Sequence, residues 1–463
     1  MRRPYFFSLF LLAAPWQLAA APTLDQQIRV ELSVRETISP IYLAGFRVKQ
    51  TNGKISSVGR PHYITQLESI LETDFQRAAR TRVLPRQELK ETLLQGEKEG
   101  AFDSKSWRDA GATHVIQCQI LDDKLTATVF TPETGSLKHF PPMTLTGELI
   151  RDRRQLHKLA DSIYRALFNE EGVASAKILY SLQPRNQSNN PDEWKAEIWE
   201  CDWDGAGVRQ LTHDGSYNIT PVFVPNMSGT LPDRYLYVSY KMGQPKIMFA
   251  TFKDQVGHNL IRLRGNQFLP AISPKLDKIA FISDISGRAD LFIQNFHPEQ
   301  GLVGKPIQLY SYPNATQASP TFSPDGRKVA FVSDRDGSPR IFVISAESSG
   351  RRQEPTLITR ENNENSCPAW SPDGKKIAYS AKIDGVRQIW VYDFETHQER
   401  QVSFGAGNKE NPSWAPNSCH IVFNSCDEHE SELYVVNLNK TEVVKISKGS
   451  GKKQYPSWGM PKR

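Results

Sequence analysis

Cys426-Asp-Glu-His-Glu430 is a dense run of metal-ligand side chains, and it overlaps His429-Glu-Ser-Glu-Leu433, which begins like the zinc-protease helix motif. That motif needs a second histidine four residues after the first, so that both reach one ion from one helix face; Leu433 stands there instead. Asp334-Arg-Asp-Gly337 opens like a calcium loop, but apolar residues follow and no acid occupies the twelfth position. Both runs read as polar turns. The chain has no Gly-x-Ser-x-Gly elbow for a serine nucleophile. The expectation is therefore no enzyme, no metal and no cofactor.

Binding chemistry remains, and a repeat sets its register. Prolines 221, 270, 320, 368, 412 and 456 each open a similar phrase, clearest in Cys367-Pro-Ala-Trp-Ser-Pro-Asp-Gly-Lys-Lys-Ile-Ala-Tyr-Ser380. Three residues before these prolines stand Asn218, Gln267, Gln317, Asn365, Lys409 and Lys453, all polar and none acidic. If the repeats are related by rotation, these six positions form a ring around one end of the molecule. A concave, rigid ring of amides and ammonium groups suits a docking site for a peptide or protein loop. It offers no obvious acid and base pair for a hydrolase or lyase, the alternative reading. The turns bearing Asp284, Asp334, Asp336, Asp384, Asp427 and Glu428 would make a more acidic rim outside it. A carbohydrate-binding propeller, a third reading, would require exposed tryptophans, whereas Trp370, Trp414 and Trp458 fall at packed positions of the phrase.

The elements that must position this ring are strands. The prolines are separated by 49, 50, 48, 44 and 44 residues, the period of four-stranded propeller blades. In each module the proline phrase supplies an inner strand A with the proline at its start, Ser-Pro-Asp-Gly makes the turn, and three further strands B, C and D follow. The aromatic residue two positions after the proline fills the wedge between blades. Residues 177–181, 197–202 and 208–212 read as strands B, C and D without an A, and Tyr455-Pro-Ser-Trp-Gly459 is an A with nothing after it. Joined, they make a sixth blade from both ends of the domain, closing the ring and removing open edges.

Ahead of the propeller, Met1-Arg2-Arg3, an apolar run and Ala19-Ala-Ala21 form a signal peptide of secretory type over residues 1–21. Its removal lowers the formal charge from +6 to +4, too weak a bias to favour nucleic acid. Residues 22–170 mix helical and strand periodicities and read as a separate α/β domain, with helices near 64–75 and 156–167 and strands near 28–34, 41–48, 114–121 and 125–130. Residues 171–463 are assigned to the propeller. The five cysteines are odd in number and poorly placed for bridges, and read as free, buried thiols.

An export signal, a small α/β domain and a six-bladed propeller, in that order, resemble the TolB family of soluble periplasmic proteins. Trp107-Arg-Asp-Ala-Gly-Ala-Thr-His-Val-Ile116 and Leu156-His-Lys-Leu-Ala-Asp-Ser-Ile-Tyr164 resemble that family's first domain, although Asn169-Glu170 replaces its usual Thr-Gly. The resemblance implies a periplasmic, non-enzymatic, monomeric adaptor of a Tol-Pal-like system, acting in outer-membrane integrity and envelope constriction during division. It would bind a peptidoglycan-associated lipoprotein (Pal-like) at the propeller mouth, and a TolA-like inner-membrane protein through the N-terminal segment.

Overall fold

The structure is a computed structural model that describes residues 37–49, 57–91, 93–94, 102–185, 190, 193–225, 233–347, 353–427, 429–440 and 442–459. The signal peptide expected at 1–21, the strand expected at 28–34, the N-terminal segment expected to meet a TolA-like protein, and Glu428 lie outside the described residues.

The first domain is a mixed sheet covered by helices. Its strands are β1 Ser39–Leu43, β2 Arg47–Lys49, β3 Thr81–Val83, β4 His114–Leu121, β5 Lys124–Thr131, β6 Ser136–His139 and β7 Met143–Thr144, with a main path β3-β1-β4-β5-β6. Strand β1 runs parallel to β3 and β4, whereas β5 returns antiparallel to β4. Helix α1, Pro61–Arg77, opens on a proline whose missing N–H costs nothing at that position. A short helix α2 spans Ser104–Asp109, and α3 runs Leu149–Phe168 until Asn169 turns left-handed at φ 53°. The strand expected at 41–48 is broken in two: β1 ends at Leu43, and β2 resumes two rungs away, against the far end of β4.

Four separate four-stranded sheets follow, plus an eight-stranded sheet. In the larger one, two further four-stranded units meet through a single parallel bridge, Ser431 to Lys452. Six blades result. Their A strands are Asn218–Val224, Gln267–Ile272, Gln317–Phe322, Ser366–Trp370, Asn408–Trp414 and Lys452–Gly459, for blades 1 to 6. Blade 6 takes its B, C and D strands from Lys177–Gln183, Glu197–Asp202 and Arg209–Gln210, so the C-terminal strand closes the ring as expected. Phe223, Phe322, Trp414 and Trp458 are buried, and the Trp414 indole donates to the Ala369 carbonyl of the previous blade at 2.9 Å.

The prolines do not begin their strands. Each sits inside strand A at a register break, and the residue before it is left-handed: Thr220, Leu269, Ser319, Cys367, Asn411 and Tyr455 have φ between 47° and 54°. Left-handed backbone costs an L-residue about 1–2 kcal/mol, and a following proline and a β-branched side chain both aggravate it. Asparagine, already present at Asn411, tolerates that region best. Thr220→Asn is expected to raise the melting temperature by about 2 °C, measured calorimetrically, since the Thr220 hydroxyl has no hydrogen-bond partner to lose.

The domains share one apolar cluster, in which Leu67, Phe75 and Leu156 join Ile178, Trp203, Val435 and Trp458. Around it, blade 5 caps α1. The last carbonyls of a helix have no partner within it and carry partial negative charge. Lys440 Nζ reaches the carbonyls of Gln76 and Thr81 at 2.6 and 2.7 Å, Asn437 reaches Ala78 at 3.2 Å, and Asn439 reaches Ala79 at 3.4 Å. His420 Nδ1 lies 2.9 Å from the Asn417 amide nitrogen, so Nε2 carries the proton and donates to the Arg77 carbonyl at 2.9 Å. Burial pushes this imidazole down to about 4, which keeps it neutral in that role.

Candidate functional site

The propeller has two ends. One carries the turns joining A to B and C to D; the other, the mouth, carries the B to C turns and the D to A crossings. The contacts just described fall on the first end, where His420 opens strand B of blade 5, Asn437 ends its strand C, and Asn439 and Lys440 lie in the turn that follows. So does a buried ionic network: Asp74 accepts from His157 Nδ1 at 2.7 Å and from the Trp203 indole at 3.0 Å, while Arg153 pairs with Asp202 at 3.1 Å and with Asp204. His157, Asp202 and Asp204 are close enough to share an ion. Arg153 and Lys177 already neutralise those carboxylates, and the group reads as an interdomain clamp. Of the acidic run first singled out, Asp427 caps its own turn by accepting from the backbone N–H groups of His429 and Glu430.

The six positions chosen from the repeat all lie at the mouth end of strand A, and all six are buried, between 0% and 2% exposed. This corrects the expectation that their side chains meet a partner. They reach inward to the crossing that precedes their own strand. Gln267 donates to the carbonyls of Ile261 and Leu263 at 2.9 and 3.1 Å, and Asn365 donates to Asn362 at 3.2 Å. Asn218 donates to Asp214 at 2.7 Å, and Gln317 lies 3.4 Å from the Ala315 carbonyl. Lys409 holds the carbonyls of Gly405, Ala406 and Gly407, and Lys453 holds Gly449 and pairs with Glu432. Inward-facing carbonyls and carboxylates need donors, which explains why every residue is polar and none acidic. The ring shapes the mouth from beneath.

Burial pushes the Lys409 ammonium down to about 8, well below the roughly 10.4 of an unfolded lysine. Between those values the unfolded chain holds more protons, so this group makes stability rise with pH from about 8 to about 10. Lys409→Met should destabilise the propeller by about 1–3 kcal/mol through the carbonyls it abandons. It should also flatten that rise, seen by comparing melting temperatures across the window.

Two acids of the rim are likewise engaged in scaffolding. Asp284 accepts from the backbone and side-chain nitrogens of Asn266, both at 2.7 Å, and Asp334 accepts from Thr316 N at 2.7 Å and its hydroxyl at 3.0 Å. These staples tie the B to C turns of blades 2 and 3 to the neighbouring crossings. Inside them, the left-handed residues and the prolines of all six A strands line an axial well of about 180 Å³. Sequence reasoning missed these wall residues because the proline phrase is fully explained by turns and packing; only its exact recurrence around an axis hints at a shared wall.

Fold and mouth together define a two-domain propeller protein whose first domain is clamped to one end, away from the concave mouth. The family model described as the TolB beta propeller domain matches residues 164–462. A TolB homolog of Protochlamydia amoebophila is 46% identical over 391 residues, covering 84% of this chain and 82% of that protein. One from Chlamydia caviae is 42% identical over 193 residues, covering 41% and 43%. The crystal structure of TolB from Acinetobacter baumannii superposes with a TM-score of 0.71 at 19% identity, covering 93% of this chain and 99% of that one, which shows the shared fold. The chain belongs to the TolB family.

Proposed function

We propose that this protein is a non-enzymatic periplasmic adaptor whose propeller mouth receives a peptidoglycan-associated lipoprotein of a Tol-Pal-like system. It would thereby serve outer-membrane integrity and envelope constriction during division. The observation that carries this reading is the polarity of the molecule: the first domain is fastened to one end of the propeller, and the mouth is a rigid concavity. A partner at the mouth competes with nothing on the chain's own clamp. The N-terminal segment, at residues 22–34, is the part proposed to reach a TolA-like inner-membrane protein. Isothermal titration of the mature chain with the purified soluble domain of the organism's peptidoglycan-associated lipoprotein tests the reading. Saturable one-to-one binding is expected; absence of heat at high micromolar concentrations overturns it.

A further inference from the structure

The staples of the mouth are polar at every seam except one. The position just before the buried ring residue and the facing position at the mouth end of strand B pair as Asn266 with Asp284, Thr316 with Asp334, and Glu364 with Lys382, the last an ion pair of 3.1 Å. At the next seam Asn408 accepts from the Cys426 thiol, and at blade 6 Lys452 faces Gln183 in the ladder. Between blades 6 and 1 the same two positions are Tyr217 and Tyr240. Their rings meet edge to face at 5.4 Å, and Trp194, from the long B to C connection of blade 6, meets Tyr217 at 5.9 Å.

The arc is rigidly held. Tyr240 N donates to the Tyr217 carbonyl at 3.2 Å, and Tyr217 bridges to Ala196, two residues beyond Trp194. All three rings remain half-buried. Beside them Met242 is 56% exposed, and on the next crossing Arg262 and Arg264 are exposed and pair with no carboxylate among the described residues.

A polar staple would hold this seam as it holds the others, so packing alone does not call for three aromatic rings there. The crossing that bears these arginines is held to the strand after the Tyr240 turn by Lys246, which donates to the Leu263 and Gly265 carbonyls; half-buried tryptophan and tyrosine with arginine close by form the composition on which binding energy concentrates at protein interfaces. We propose that this arc is the anchor of the mouth, and that it takes a protein loop presenting an apolar side chain next to acidic residues. The rings and Met242 cover the apolar group, and Arg262 and Arg264 meet the carboxylates. This rests on the reading of the mouth as the lipoprotein's dock, and names the part of it that carries the affinity.

The test titrates the purified lipoprotein domain into the full mature chain and its variants, each first checked for a cooperative melt. Trp194→Ala and Tyr240→Ala should each weaken binding about thirtyfold, and Arg262→Glu with Arg264→Glu at least tenfold. Lys382→Ala, across the mouth, should stay within twofold. If the wild type binds and the arc variants bind equally well, the arc is wrong while the reading of the mouth stands. A wild type that does not bind overturns both. Soluble muropeptides bound by the wild type and lost by Trp194→Ala, with lipoprotein affinity unchanged, would assign the rings to sugar stacking and overturn the protein partner.

Discussion

Deletion of residues 454–463 removes cooperative unfolding of the propeller. Strand A of blade 6 pairs with Lys177–Gln183 from the other end of the domain, so its loss opens a closed ring. It takes away buried Trp458, whose backbone N–H also donates to the Ser413 hydroxyl at 3.0 Å across the blade seam. It also removes Gly459, where an added Cβ would come within 2.3 Å of the Phe223 ring, a measure of how closely blades 6 and 1 meet. One buried tryptophan is worth about 3 kcal/mol, and lost ladder and seam hydrogen bonds add about 1 kcal/mol each. The sum is roughly 5–10 kcal/mol, comparable to the whole stability of a domain, and it leaves two sheet edges open to aggregation. Calorimetry and near-ultraviolet circular dichroism read the outcome directly. A truncated chain that melts as sharply as the intact one would refute the closure argument.

Asp74→Ala is expected to cost about 3–5 kcal/mol, because it strands a buried imidazole and a buried indole N–H at the domain junction. Asp74→Asn, which keeps an acceptor but loses the charge, should cost less. Burial opposes a charge on His157, but the Asp74 and Asp204 carboxylates outweigh it and hold the imidazole above its usual range. A folded value raised above the unfolded value of about 6.5 gives stability that is fully present below pH about 6.5 and is lost as pH rises through the folded value. The gap in melting temperature between wild type and His157→Gln should therefore narrow from pH 6 towards alkaline pH. A gap that widens with pH would contradict the charged clamp.

The blades were legible because a strand, a turn and a packed aromatic each leave a residue type at a fixed offset, and six copies reinforce one another. Closure by Trp458 was legible for the same reason. The left-handed bulges were not: a residue before proline ordinarily avoids that backbone region, so Thr220 or Leu269 carries no local sign of it. The cap on α1 was hidden by distance, since Lys440 and Gln76 are 364 residues apart. The polar residues at Asn218, Gln267, Gln317, Asn365, Lys409 and Lys453 were correctly placed at the mouth end but misjudged in direction. A donor required by buried carbonyls and a donor offered to a partner look alike in a sequence. The aromatic arc shows only against the repeat, as the seam where Tyr217 and Tyr240 stand in place of a polar pair.

Hydrogen exchange of the purified protein, with and without the soluble domain of the peptidoglycan-associated lipoprotein, tests the central claim most directly. Amides of residues 194–196, 213–217, 240–245 and 262–266, all on the mouth, are predicted to gain protection. The turns at 417–420 and 437–440, which hold the first domain, should keep the exchange rates of the free protein. Protection confined to those turns or to the first domain, with the mouth unchanged, would contradict the account.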